Sequence, residues 1–335
     1  MNTRGHTVRH LILLALTGLV AVTAQAADGT KTDTATMNQA ADWSNGALGT
    51  GDTGTFDDTI STANAANLTL GGDLSISALV FNNNLNGPVT IGAGNTLTLN
   101  STGTGLDLSA ANQNVTLNCA VTPSASQTWN VGGGRTLTLG GTLTNLVGTL
   151  TKTGDGQLVV GNVIKTGVAT LKSDGGSLVV NGDISQSPHP TANSFYLDGT
   201  ANGTVNGSID DVFALRKNGT GTWTLTGSNP LIYTETGSRA GVQINVGALN
   251  VQHAGALGTI NNVTVARACP KFRDFCQCFV TTNTIHSMQV ALSACFHRLR
   301  GCEGHFAPIL GRPLLRWVVE NQGMALRRPC VAARW

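Results

Sequence analysis

Charge is scarce in this chain: 11% of its 335 residues are Asp, Glu, Lys or Arg, and 5% are aromatic. Helix formers such as Glu and Lys are therefore thin, which argues against an α-rich fold. Cysteine is nearly missing from most of the sequence. Residues 27–266 hold only Cys119, so a body of that length is not built on disulfides. After Leu11–Val22 no apolar run is long enough to span a bilayer as a helix. Several chemical signatures are missing as well. The clusters Cys276-Gln-Cys278, Cys295-Phe-His297 and Cys302-Glu-Gly-His305 lack the paired knuckles of a structural zinc site. The Gly-x-Gly pairs lead straight into strand patterns, which excludes a nucleotide fingerprint. The Asp/Gly-rich calcium nonapeptide is absent too.

What is present is glycine, 42 residues of it, scattered with Asn, Thr and Ser through the chain. That composition suits many short strands joined by tight turns. The formal net charge of +2 hides three unlike segments. Residues 1–26 carry Arg4 and Arg9 and no acid. Residues 27–266 carry eight basic side chains against fifteen acidic ones, a net of −7, and residues 267–335 carry ten against three, a net of +7. No nucleic-acid motif accompanies the basic tail, and nucleic acid is not an expected partner.

Residues 1–26 read as a secretory signal peptide. Arg4 and Arg9 form the positive region, Leu11–Val22 the apolar core, and Ala24-Gln25-Ala26 a small-x-small cleavage site. The expectation is export across a bacterial inner membrane. Residues 27–41 form a polar lead-in, expected to be loosely attached. Trp43 and Phe56 are expected to cover the first open coil of whatever follows, because a stack of strands must protect its ends.

Two stretches organise the rest: Leu150–Gly161, LTKTGDGQLVVG, and Leu215–Gly227, LRKNGTGTWTLTG. Both read Leu-x-Lys-x-Gly-x-Gly-x-apolar-x-apolar, a tight turn followed by a strand. Apolar-x-apolar triplets recur at 68–70, 79–81, 89–91, 97–99, 115–117, 137–139, 158–160, 178–180, 223–225, 244–246, 249–251 and 263–265, the period of a half-buried strand. Gly92–Leu99 recurs as Gly132–Leu139, forty residues on, and Val115, Leu137, Leu158 and Leu178 lie 22, 21 and 20 apart. A period near twenty predicts an all-β, right-handed parallel β-helix with coils of about 20 residues. Twelve such coils would stack to about 55–60 Å at strand spacing. A β-sandwich is the alternative, but nothing in a sandwich requires similar sequence at a fixed period.

The Leu-x-Lys-x-Gly-x-Gly units resemble the autotransporter-associated β-strand repeat. Gly241–Gly258, GVQINVGALNVQHAGALG, resembles its usual continuation, and Asp42-Trp43 with Phe56-Asp57-Asp58 resembles the opening of such passengers. The resemblance implies an exported bacterial β-helix over residues 42–266, displayed at the cell surface or outer membrane, or secreted, with adhesin-like roles. Its expected partners are host or environmental surface glycans or proteins. The family's outer-membrane translocator barrel needs many alternating segments of about ten residues, and this sequence shows none; without a translocator the expected address is periplasmic. At Arg267 the pattern breaks off. Residues 267–335 hold six Cys and nine Arg with no period, which resembles translation in a shifted reading frame; a real, unrelated C-terminal domain is the alternative, and an open reading frame without a stable product a further one.

Parallel β-helices also host polysaccharide lyases and hydrolases, which need clustered carboxylates on one face. The doublets Asp57-Asp58 and Asp210-Asp211 would point to opposite faces of a strand, and turn roles suit them better. His189, between Pro188 and Pro190, and His253, in an Ala-Gly turn, have no partner in the sequence. The Asn-x-Ser/Thr triplets follow from Asn in turns beside Thr in strands and imply no glycosylation. The expectation is a structural or adhesive protein without catalytic, cofactor-binding or metal residues and without a cofactor; a carbohydrate-active β-helix enzyme is the rival.

Overall fold

The computed structural model describes residues 27–187, 193–229, 241–257, 263–265 and 280–282. All of these fall in one compact unit, Met1–Ala294; the signal-like segment 1–26, His189 and the six tail cysteines lie outside the described residues. Among the described residues the chain is a β-solenoid whose strands pair in parallel, with one isolated antiparallel bridge between Lys31 and Trp43. One sheet has nine strands, and a second, of fifteen, folds over two faces.

Each coil visits three faces in turn. The first carries Leu74–Ile76, Thr96–Leu99, Ala120–Pro123 and Ile184–Gln186. The second carries Thr53–Phe56, Ala78–Phe81, Thr104–Leu108, Gln127–Val131, Asn193–Asp198, Val212–Lys217 and Gly241–Ile244. The eleven-residue strands Leu143–Thr153 and Val163–Ser173 run unbroken across both faces and fuse them into one sheet. The third face is the nine-stranded sheet, running from Val89–Ile91 to Val280–Thr282.

Period two turns every other side chain inward, and parallel register stacks like on like. On the third face Ile91, Leu117, Leu139, Val160, Val180, Val205, Leu225 and Val251 form one column, each at most 2% exposed. On the first face Leu74, Leu97, Val121, Leu143, Val163 and Ile184 form a second buried column. Burying each such side chain is worth about 1.5–3 kcal/mol, which is how a chain with few aromatics sustains a core.

The structure corrects two expectations. Among the described residues there are nine rungs on the third face and not twelve coils, because the twelve triplets sample different faces of shared coils. Leu97–Leu99 pairs on the first face while Leu137–Leu139 pairs on the third, so the forty-residue echo joins strands that never stack. Leu68 makes only an isolated bridge to Ile91, and the strand holding Ile244 ends there. Second, coil length is not uniform. Val89, Val115, Leu137, Leu158, Leu178, Gly203, Trp223 and Leu249 occupy one column at spacings of 26, 22, 21, 20, 25, 20 and 26. Loops at the corners absorb the difference without disturbing the register. Within the stretch 267–335, Val280–Thr282 adds a further rung by pairing with Leu249–Val251.

The lead-in is also firmly attached. Gly29–Thr30 pairs with Gly54–Thr55, and Met37 is fully buried. Asp42 gathers the segment: its carboxylate accepts from the hydroxyls of Thr34 and Thr36 and from the amide of Gln39. Trp43 donates its indole N–H to the Met37 carbonyl at 2.7 Å and meets Phe56 edge-on at 5.8 Å, and Phe56 stacks on Phe81 at 4.9 Å. As expected, these aromatics close the end of the stack, with the polar lead-in as part of the lid.

The column of Gly203 yields a test. It sits between Leu178 and Trp223, and a Cβ there would lie 2.6 Å from the Trp223 indole. Gly203→Val is expected to destabilise by roughly 1–3 kcal/mol through overpacking, read as a lower denaturant midpoint; an unchanged midpoint would mean that the indole relocates freely.

Candidate functional site

The outward rows follow from the same register. On the third face Thr90, Thr116, Thr138, Val159, Val179, Thr204, Thr224 and Asn250 stand in one half-buried row. Seven consecutive members are β-branched, the shape that packs best on a pleated surface. Asparagine ladders secure the corners: Asn114 accepts from the Thr136 amide, Asn202 from the Thr222 amide, and Asn206 donates to Asn181.

The second face is less regular. A cleft of about 170 Å³ opens there, lined by Thr102, Gly103, Ser126, Gln127, Thr128, Thr149 and Thr151. Its walls are uncharged. Along the solenoid axis from it, Thr149, Thr170, Tyr196, Arg216 and Gln243 form one outward row, and Thr151, Lys172 and Asp198 another. Arg216 donates to the Tyr196 hydroxyl at 2.6 Å and lies 5.4 Å from its ring centroid. Lys172 pairs with Asp174 at 2.6 Å, and that hydrogen bond holds its ammonium above the usual lysine range.

The residues flagged for chemistry in the sequence do not converge. Asp57 accepts from the amide and hydroxyl of Thr59, an Asx turn. Asp210 accepts from the Ser208 hydroxyl through one oxygen, while its other oxygen is buried without a hydrogen-bond partner; Asp211 adopts φ 56°. The Nδ1 of exposed His253 accepts from the Gly255 amide. Among the described residues no three His, Cys, Asp or Glu side chains group as metal ligands, and no helix there is long and apolar enough to cross a membrane.

Sequence reasoning missed the lysines. Lys152 and Lys217, the third residues of the two repeat units, are fully buried, as are Lys31 and Lys165. The Lys152 ammonium donates to the carbonyls of Gly154, Gly156 and Gly175. The Lys217 ammonium donates to those of Asn218, Gly219 and Val246. Gly154 and Gly219 take φ of +77° and +68°, the left-handed conformation that turns successive carbonyls toward one point. The signal was the fixed Lys-x-Gly-x-Gly spacing, which links the lysine to the turn it fills. These cations serve the backbone and not a ligand.

Cys119, fully buried, has its thiol pushed up to about 11 by burial. In the folded protein it is expected to resist a maleimide at pH 7.5 and to react only after denaturation; rapid native labelling, counted by mass, would show that its coil opens locally.

No family model, no curated protein and no solved structure matches this chain.

Proposed function

We propose that the chain is the passenger-like solenoid of an exported bacterial protein, structural or adhesive in role, displayed at the cell surface or secreted. The observation that carries this is the in-register outward row on the third face, Thr90 to Asn250. It repeats one small contact at every coil, which suits an extended surface contact and offers no single point for chemistry. The Leu-x-Lys-x-Gly-x-Gly units and the signal-like residues 1–26 support the passenger reading.

The test is adhesion. Beads coated with the full chain are expected to bind bacterial, host-cell or polysaccharide-coated surfaces above beads coated with an unrelated β-protein. Equal binding would remove the adhesive role. The rival reading, a polysaccharide lyase or hydrolase, is tested on acidic polysaccharides with and without calcium. Turnover that disappears in Asp210→Asn or Asp57→Asn would replace the adhesive reading with the enzymatic one.

A further inference from the structure

We infer that the second face carries a binding groove for a neutral saccharide chain lying along the solenoid axis, with one subsite in the cleft lined by Thr and Ser. This rests on the adhesive reading and adds the site and the ligand class.

The cleft adjoins a β-bulge. Pairing between Thr104–Leu108 and Gln127–Val131 slips between Thr128 and Trp129, where Thr128 faces Thr104 but Trp129 faces Leu106. Gly105 is the extra residue of this bulge. Bulges bend a strand and re-aim its neighbours, and here the Gln127 side chain packs inward beneath Gly105, where a Cβ would strike it. That side chain is 3% exposed and fixed at both ends, donating to the Leu99 carbonyl and accepting from the Trp129 indole. Gln127 is therefore held in place beside the cleft. Ser126 is also positioned, its hydroxyl oxygen accepting from the Thr149 amide at 3.0 Å.

The chemistry of the lining selects the ligand. Hydroxyls from Thr102, Ser126, Thr128, Thr149 and Thr151 surround the hollow, and each both donates and accepts. No charge stands in the lining, so an ionised group would exchange water for neutral dipoles there, at a cost. Val147 and Val168, two residues before Thr149 and Thr170 in their strands, are 44% and 49% exposed, the two large exposed apolar side chains among the described residues. They lie on neighbouring coils, one residue before the paired Gly148 and Ala169. A ring with a polar edge and an apolar face matches a hydroxyl wall beside an apolar ridge, and that is the amphipathy of a sugar.

The dimensions point to a chain and not a lone small molecule. A volume near 170 Å³ is below the roughly 300–1,000 Å³ of sites that enclose a ligand. The cleft seats one ring and leaves the rest on the open surface. Continuing along the axis, the rows reach Thr170 and then Tyr196, whose ring is braced by Arg216. The charges on that side balance: Lys172 and Arg216 against Asp174 and Asp198. A neutral chain crosses them without penalty.

The experiment titrates the full chain, by calorimetry, with cellohexaose, chitohexaose and maltohexaose, and with a heparin hexasaccharide as the acidic comparator. Thr151→Glu places a charge in the cleft, Val147→Asp with Val168→Asp removes the ridge at two exposed sites, and Thr138→Glu changes the third face. Circular dichroism melts establish that each variant is folded, and the exposed ridge pair keeps the test open if Thr151→Glu is not. At least one neutral hexasaccharide is expected to bind, about tenfold more weakly to the cleft and ridge variants and unchanged by Thr138→Glu. Binding that only Thr138→Glu weakens, or heparin as the sole ligand, overturns the groove. So does no saccharide binding by a chain whose coated beads still adhere, and in that case the adhesive reading stands. Beads that adhere to nothing remove that reading itself.

Discussion

Trp129→Ala is expected to destabilise the solenoid by about 3–5 kcal/mol, the usual cost of truncating a buried indole. Trp129 is fully buried in one column between Leu106 and Lys152. Its indole N–H also donates to Gln127 at 3.1 Å, and Gln127 in turn donates to the Leu99 carbonyl. Alanine therefore opens a cavity and strips the Gln127 oxygen of its donor, a further cost of about 1–3 kcal/mol where water cannot reach. Because each coil touches only its neighbours, stability is close to a sum of coil and interface terms. The loss should thus be local. Hydrogen exchange is expected to speed up in Thr104–Leu108, Gln127–Val131 and Leu143–Thr153, with Thr222–Leu225 retaining its protection. Uniform loss of protection along the whole stack would show instead that the solenoid unfolds as one cooperative block. Trp129→Phe should recover more than half of the stability, since it restores most of the volume but not the N–H.

That experiment targets a part of the fold that the sequence showed poorly. The third face was legible because Val115, Leu137, Leu158 and Leu178 keep a nearly constant period, and each lies in the register that period demands. There the turns are short and apolar alternation is strict. On the second face the pattern is broken by the bulge at Gly105, by Gln127 and Lys152 pointing inward, and by strands that run through a corner without a turn signal. Polar residues facing inward look like loops to any reading based on alternation. The lead-in was misjudged for the same reason: Lys31 and Asp42 are polar in composition but buried in fact, with Asp42 serving Thr34, Thr36 and Gln39. The cleft left no trace in sequence. It is a row of threonines beside a bulge, and threonine on a strand is unremarkable by propensity.

The inward lysines lead to the second large effect. Lys152→Met is expected to destabilise by about 2–4 kcal/mol in spite of removing a buried charge. Methionine fills the space but donates nothing, so the carbonyls of Gly154, Gly156 and Gly175 lose their shared donor. The Gly156 carbonyl keeps the Ser177 amide, while those of Gly154 and Gly175 lose their donor, at about 1–3 kcal/mol for each that water cannot reach; relief of the ammonium's own desolvation offsets part of the total. That offset has a signature in pH. Burial pulls the Lys152 ammonium from its ordinary value of 10.5 down to about 8, and Asp155 only partly resists. Between pH 8 and 10.5 the unfolded chain consequently holds a proton that the folded chain has shed, and stability must rise with pH across that window. It levels off above about 10.5 and reaches its floor below about 8. Lys31 and Lys165 are pulled down to about 8 in the same way, so the wild-type rise combines several sites. Lys152→Met should flatten the rise without abolishing it, measured as the change in urea midpoint from pH 7.5 to 10.5. If the variant climbs as steeply as the wild type, Lys152 keeps its proton in the fold, and the three glycine carbonyls hold the charge more strongly than burial opposes it. Lys152→Arg separates the two effects: guanidinium stays charged at every pH used, so a folded Arg variant should show the flattened slope while retaining donors for the turn.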